Sequence, residues 1–194
     1  AGISLTIALG VGLLLAGVGV VGWVALRGEH SFSGTPPSSR AARVTATLET
    51  VGQLPGIEAV AITTSLSGVP APGSGPSEII VTSGASGTEP PVIAEYRIVS
   101  PSYFSTMQIP VVAGELCRHT ATADERRSAG QAMVNRAFAD RYFAGRSVIG
   151  LQVLARGFPF PSRIVGIVAS AREAAVDREP PPTVYSCDIG VTPN

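Results

Sequence analysis

The sequence predicts an α+β chain: one N-terminal transmembrane helix over residues 1–27, followed by a mixed α/β domain over residues 28–194. Three observations carry this. No charged side chain occurs before Arg27. The rest breaks into short apolar runs, several with the alternating period of strands. Between them stand brief helical segments punctuated by Gly and Pro, which number 22 and 16.

At about 1.5 Å of rise per residue, the uncharged stretch 1–26 makes a helix of roughly 39 Å, more than the roughly 30 Å of a hydrocarbon core. A signal peptide has an apolar run of only about 7–15 residues behind a basic start. Neither condition is met, so the stretch is expected to span. Ala8, Gly12 and Ala16 place a small residue at every fourth position, the spacing of a possible helix-packing face, although small residues are also ordinary in such helices. Arg27, Arg40 and Arg43 follow the span and only mildly favour a cytosolic side for what comes next.

Residues 28–37 form a polar exit. Ala41, Val44, Leu48 and Val51 share one helical face, predicting a helix over 38–54 that stops at Pro55-Gly56. A short apolar strand is expected over 57–63. Residues 65–91, rich in Gly, Pro and Ser, are expected as a flexible excursion with a small strand at Ile79-Ile80-Val81. Over 92–99, Ala94, Tyr96 and Ile98 alternate with Glu95 and Arg97, predicting a half-buried strand with a polar outer side. Ser100-Pro101 opens a short helix, serine as cap and proline in the first turn, which carries Tyr103, Phe104 and Met107. A strand over 109–112 ends where Gly114 turns the chain, and 116–130 is a polar loop. A strand at 132–134 enters a helix capped by Asn135, on which Phe138, Ala139, Tyr142 and Phe143 make an apolar face. Gly145 and Gly150 frame a turn, and strands follow at 151–154 and 164–168. Glu179 through Pro182 is a rigid stop before a last strand at Val184-Tyr185.

Composition excludes several chemistries. The 14 acidic and 14 basic residues cancel, so no broad pull toward nucleic acid is expected. All 14 basic residues are arginine. Without lysine there is neither a phosphate-binding loop nor a Schiff-base amine, and ATP hydrolysis would have to reside on a separate chain or segment. The histidines are His30 and His119. Cys117, His119 and Asp124 match no familiar metal spacing and read as a solvated loop. Ser86, between Gly84 and Gly87, has neither the elbow nor the nearby base of a serine hydrolase. No catalytic, metal-binding or cofactor-binding residue is assigned.

Cys117 and Cys187 stand 70 residues apart. In an oxidising compartment they can form a disulfide, contributing about 4 kcal/mol by loop-entropy arithmetic; otherwise they are two isolated, half-buried thiols. Arg126 with Arg127, and Arg136, Arg141 and Arg146, suit a solvated surface, with partner contact as the sharper alternative. Tyr103, Phe104, Phe138, Tyr142 and Phe143 read as core rather than as a ligand cage.

Three stretches carry a family resemblance. They are Val99-Ser100-Pro101-Ser102-Tyr103-Phe104 through Gly114; Val134-Asn135-Arg136-Ala137-Phe138-Ala139 through Phe143 to Ile149-Gly150; and Ile164-Val165-Gly166-Ile167-Val168 leading to Pro181-Pro182-Thr183-Val184-Tyr185. In order and spacing they resemble the extracytoplasmic core domain of MacB-type (FtsX-like) ABC transporter permeases. Leu54-Pro55-Gly56-Ile57-Glu58 after the membrane helix resembles the same family's start. The resemblance implies a non-catalytic permease subunit of the inner (cytoplasmic) membrane, its soluble domain periplasmic, between the first and second crossings. It implies an ABC ATPase subunit, a second permease copy, a periplasmic adaptor and membrane lipid as partners, with no cofactor and no nucleic acid. In transport or efflux the domain would relay ATP-driven motion, and its fold would be an α/β lobe interrupted by a β-rich lobe. Two departures are evident: residues 28–37 are a short link, and the later crossings of a permease are absent, as in a fragment. The alternative is a ligand-binding sensor domain of a membrane receptor.

Overall fold

Seven short strands and three helices occur among the described residues. The computed structural model describes residues 40–65, 76–83, 89–118, 130–173 and 177–187. The expected transmembrane helix 1–27, with Ala8, Gly12 and Ala16, lies outside the described residues. Among those described, no helix is long and apolar enough to cross a membrane.

The strands are β1 (Pro76–Thr82), β2 (Val92–Ile98), β3 (Val111–Gly114), β4 (Gln131–Asn135), β5 (Gln152–Ala155), β6 (Ser162–Val168) and β7 (Thr183–Ser186); the helices are α1 (Arg40–Gly52), α2 (Tyr103–Thr106) and α3 (Arg136–Phe143). One sheet takes all seven strands in the order β3-β6-β4-β7-β2-β1-β5, and β5 also pairs with β6. Six strands therefore close into a hydrogen-bonded ring. One edge of β6 runs along β4. Its other edge is divided, with Ser162 and Arg163 pairing with β5 and Gly166 to Val168 pairing with β3. The β2–β7 and β4–β6 pairs are parallel, and the rest are antiparallel.

This topology corrects the expected division into two lobes, for no separate β-rich lobe stands apart among the described residues. The reason lies in β1. Ile79 and Val81 are fully buried, and β1 pairs with both β2 and β5, so the middle of the glycine-rich excursion is drawn into the main core.

Each face of the sheet has its own core. On one, Ile79, Ala94, Val134, Val153, Ile164 and Val184 meet Phe138 and Phe143 of α3. On the other, Met133, Val168 and Tyr185 meet Tyr103 and Phe104 of α2. Tyr185 packs edge-on to Phe104, with ring centroids 5.2 Å apart. Among the described side chains, neither core includes one from α1, whose Val44, Leu48 and Val51 are half-buried.

Three local expectations change. Residues 57–62 join no strand; Thr63 makes only an isolated bridge to Val99. Backbone bonds flank that bridge, Thr64 N–H donating to the Ile98 carbonyl at 3.0 Å and Ser100 N–H to the Ile62 carbonyl at 2.9 Å, and side chains add to them. The Ser100 hydroxyl accepts from Ile62 N–H at 3.0 Å, and the Ser102 hydroxyl donates to the Val60 carbonyl at 2.8 Å. Ser100 is thus engaged elsewhere, and α2 starts at an N-cap, Ser102, that makes no side-chain capping bond. Because α2 is only four residues long, Met107 falls beyond it and is exposed rather than packed.

Candidate functional site

Asn135 caps α3 as its position demands: its Oδ1 accepts from Phe138 N–H at 2.9 Å. The same oxygen accepts from Thr183 N–H at 3.0 Å, and its Nδ2 donates to the Pro181 carbonyl at 2.8 Å. One buried amide thereby ties the end of β4, the start of α3 and the entry to β7.

On the α2 face, Arg97 of β2 and Glu173, which lies beyond β6, are both 5% exposed. Tyr103 and Tyr185 each donate a hydroxyl hydrogen bond to one Glu173 carboxylate oxygen, and Arg97 Nη1 stands 3.7 Å from the carboxylate. Arg97 Nε and Nη1 have no hydrogen-bond partner. Burial, and then the neighbouring Glu173 charge, push the Tyr185 phenol well above its ordinary value. The cluster is a tie between β2, α2, β7 and the segment after β6. Strand alternation placed Arg97 on a solvated side; the structure buries it, because α2 and the 169–173 segment cover that side of the sheet.

Cys117 and Cys187 are brought together beside this cluster and form a disulfide, both nearly fully buried. His119, Asp124, Ser86, Arg126 and Arg127 lie outside the described residues, and no group of three metal-ligating side chains occurs among those described. Arg136 and Arg141 are exposed. Arg146 pairs with Glu89 at 2.8 Å and lies over the Phe143 ring. Phe138 and Phe143 are core, and Tyr142, half-buried, donates its hydroxyl to the Ile93 carbonyl at 2.6 Å.

A cleft of about 720 Å³ opens where β3 and β5 part along β6. Gly114 (φ +76°) and Gly166 let the strands approach: a Cβ at Gly114 would lie 2.4 Å from the Val165 carbonyl oxygen, and one at Gly166 2.4 Å from that of Glu115. Gln131, Gln152 and Arg163 line the cleft. Sequence reasoning missed this trio and the partners of Glu173, since each set is assembled from separate elements and only the pairing register joins them.

The profile of the family described as "MacB-like periplasmic core domain" matches residues 2–185. Solved structures of similar backbone include the periplasmic region of MacB from Actinobacillus actinomycetemcomitans, at 17% identity over 73% of this chain and 53% of that one, with a TM-score of 0.47. Another is the extracellular domain of the noncanonic ABC-type transporter YknZ from Gram-positive bacteria, at 14% identity over 73% of this chain and 60% of that one, with a TM-score of 0.42. The chain thus spans only 53% and 60% of those two chains. No curated protein matches it. Because the profile runs from the uncharged N-terminal stretch to β7, the protein belongs to the MacB-like periplasmic core domain family.

Proposed function

We propose that the chain is the first membrane crossing, residues 1–27, and the extracytoplasmic core domain, residues 28–194, of an ABC-type transporter permease. It performs no chemistry itself. It relays motion from an ABC ATPase on another chain or segment, in company with a second permease copy, in the cytoplasmic membrane. The observation that carries this reading is the family match over residues 2–185. Two others support it. A buried disulfide suits an oxidising compartment outside the cytoplasm, and a chain without lysine cannot supply a phosphate-binding loop of its own.

Sidedness and coupling test the proposal. The Glu179 side chain is 93% exposed, so Glu179→Cys should react with a membrane-impermeant maleimide in intact cells whose outer envelope is permeabilised. Reaction only after the inner membrane is broken would overturn the placement. In proteoliposomes holding the complete permease and its ATPase, removing residues 28–194 should abolish substrate-dependent stimulation of ATP hydrolysis; undiminished stimulation would overturn the relay.

A further inference from the structure

The polar groups of the cleft beside β6 stand in register. Gln131, Arg163 and Gln152 are Cα partners across β4, β6 and β5, and partners directly opposite carry their side chains on one face of a sheet. They make a continuous row, amide–guanidinium–amide, along the cleft. The Gln131 side-chain carbonyl accepts from Arg118 N–H at 2.8 Å, which leaves its NH₂ end to donate. Glu115, the acid of the cleft, pairs with Arg118 at 3.5 Å, and among the described residues no carboxylate reaches the Arg163 guanidinium. That guanidinium lies over bare backbone, since a Cβ at Gly150 would come 3.8 Å from Arg163 Nη2. Ile149, 37% exposed, and Pro161 supply an apolar wall. The cleft holds about 720 Å³, with Gln131 half-buried and Arg163 and Gln152 exposed along it.

The geometry points to a binding site for a small molecule that joins a carboxylate to an apolar body, the carboxylate held by Arg163 between Gln131 and Gln152 and the apolar body laid on Ile149 and Pro161. A carboxylate is all acceptor, and it matches a planar guanidinium fork flanked by amide donors. An ammonium group would meet like charge instead. A free peptide C-terminus and a simple organic acid share this chemistry. The assignment does not rest on the permease reading, and neither sidedness nor ATPase coupling bears on it.

The test titrates the full 194-residue chain in detergent with acetyl-leucyl-leucine, its C-terminal amide and 4-methylpentanoate, following the side-chain amide resonances of Gln131 and Gln152. The acid should give saturable shifts, and the C-terminal amide should bind at least about fivefold more weakly. Arg163→Gln should weaken the acid about tenfold, the loss of one charge-assisted contact, and Ile149→Ser should weaken it about threefold. Comparable binding by 4-methylpentanoate would mark an organic-acid site and weaker binding a peptide-terminus site; either supports the proposal. No shift with any probe, equal affinity for acid and amide, or indifference to Arg163→Gln would overturn it.

Discussion

The residue with the largest energetic consequence is Glu173. Removing one partner of a buried ion pair leaves the other charge uncompensated, which costs about 3–5 kcal/mol, whereas replacing both by apolar groups is often tolerated. Glu173→Ala should therefore destabilise the domain by roughly that amount in urea unfolding, and Arg97→Met/Glu173→Leu should be milder than the single change; a double variant weaker than the single one would contradict the pairing. Tyr185 adds a pH dependence. Unfolded tyrosine releases its proton near pH 10.0, while folded Tyr185 holds it to higher pH. The unfolded state thus binds fewer protons above that value, so the contribution of Tyr185, complete below about pH 10, is lost as pH rises. Unfolding free energy should fall above pH 10, and Tyr185→Phe should flatten the slope by up to about 1.4 kcal/mol per pH unit; equal slopes would refute this. Local chemistry at this scale was readable when it stayed local. Asn135 caps the helix that follows it, as an asparagine between a strand and an apolar helical face should. Arg97 was misread because period-two alternation says which side a residue faces and not whether that side is covered.

Among the elements, β6 departs most from its one-dimensional pattern. A continuous apolar run predicts a plain strand over 164–168, but the register with β4 slips between Ala132 and Met133. After that slip Ile167 packs toward the α3 core, and Val168 belongs to the α2 core. Gly166 sits at the slip, where a Cβ would press on the Glu115 carbonyl oxygen and the Met133 terminal methyl. Gly166→Ala and Gly114→Ala should each cost more than about 2 kcal/mol, since backbone must move. Gly145→Ala, at φ +79° with no atom within 4 Å, should cost only about 1 kcal/mol of backbone strain. Equal losses in thermal unfolding at all three would show that steric approach is not what selects glycine here. The slip, and the Gln131–Arg163–Gln152 row, were illegible in the sequence because they depend on how strands distant along the chain align. β1 was legible at its apolar centre, where three consecutive large aliphatics interrupt a glycine-rich stretch. The strand expected over 57–63 shrinks to the Thr63 bridge, and the serines of the α2 entrance that hold Val60 and Ile62 beside it are absent from its own composition.

At the scale of the molecule, the disulfide encloses β4, α3, β5, β6 and β7 in a covalent loop of 70 residues. Cys117→Ser/Cys187→Ser should lower stability by about 2–5 kcal/mol, read as a lower urea midpoint; an unchanged midpoint would mean that the bridge constrains nothing the fold does not already hold. The helix-and-strand grammar of the domain could be read from the chain, and so could its membership of a membrane-protein family. Closure of the sheet could not, because it needs β5 to serve two neighbours at once. That closure has a consequence for solubility. Fibrillar growth begins where a sheet offers an unpaired rim to another chain. Among the described residues β3 is a short edge strand, four residues long and paired with β6 alone, preceded by Pro110 and ended by the positive-φ Gly114. An edge that short gives a second copy of the domain little on which to template.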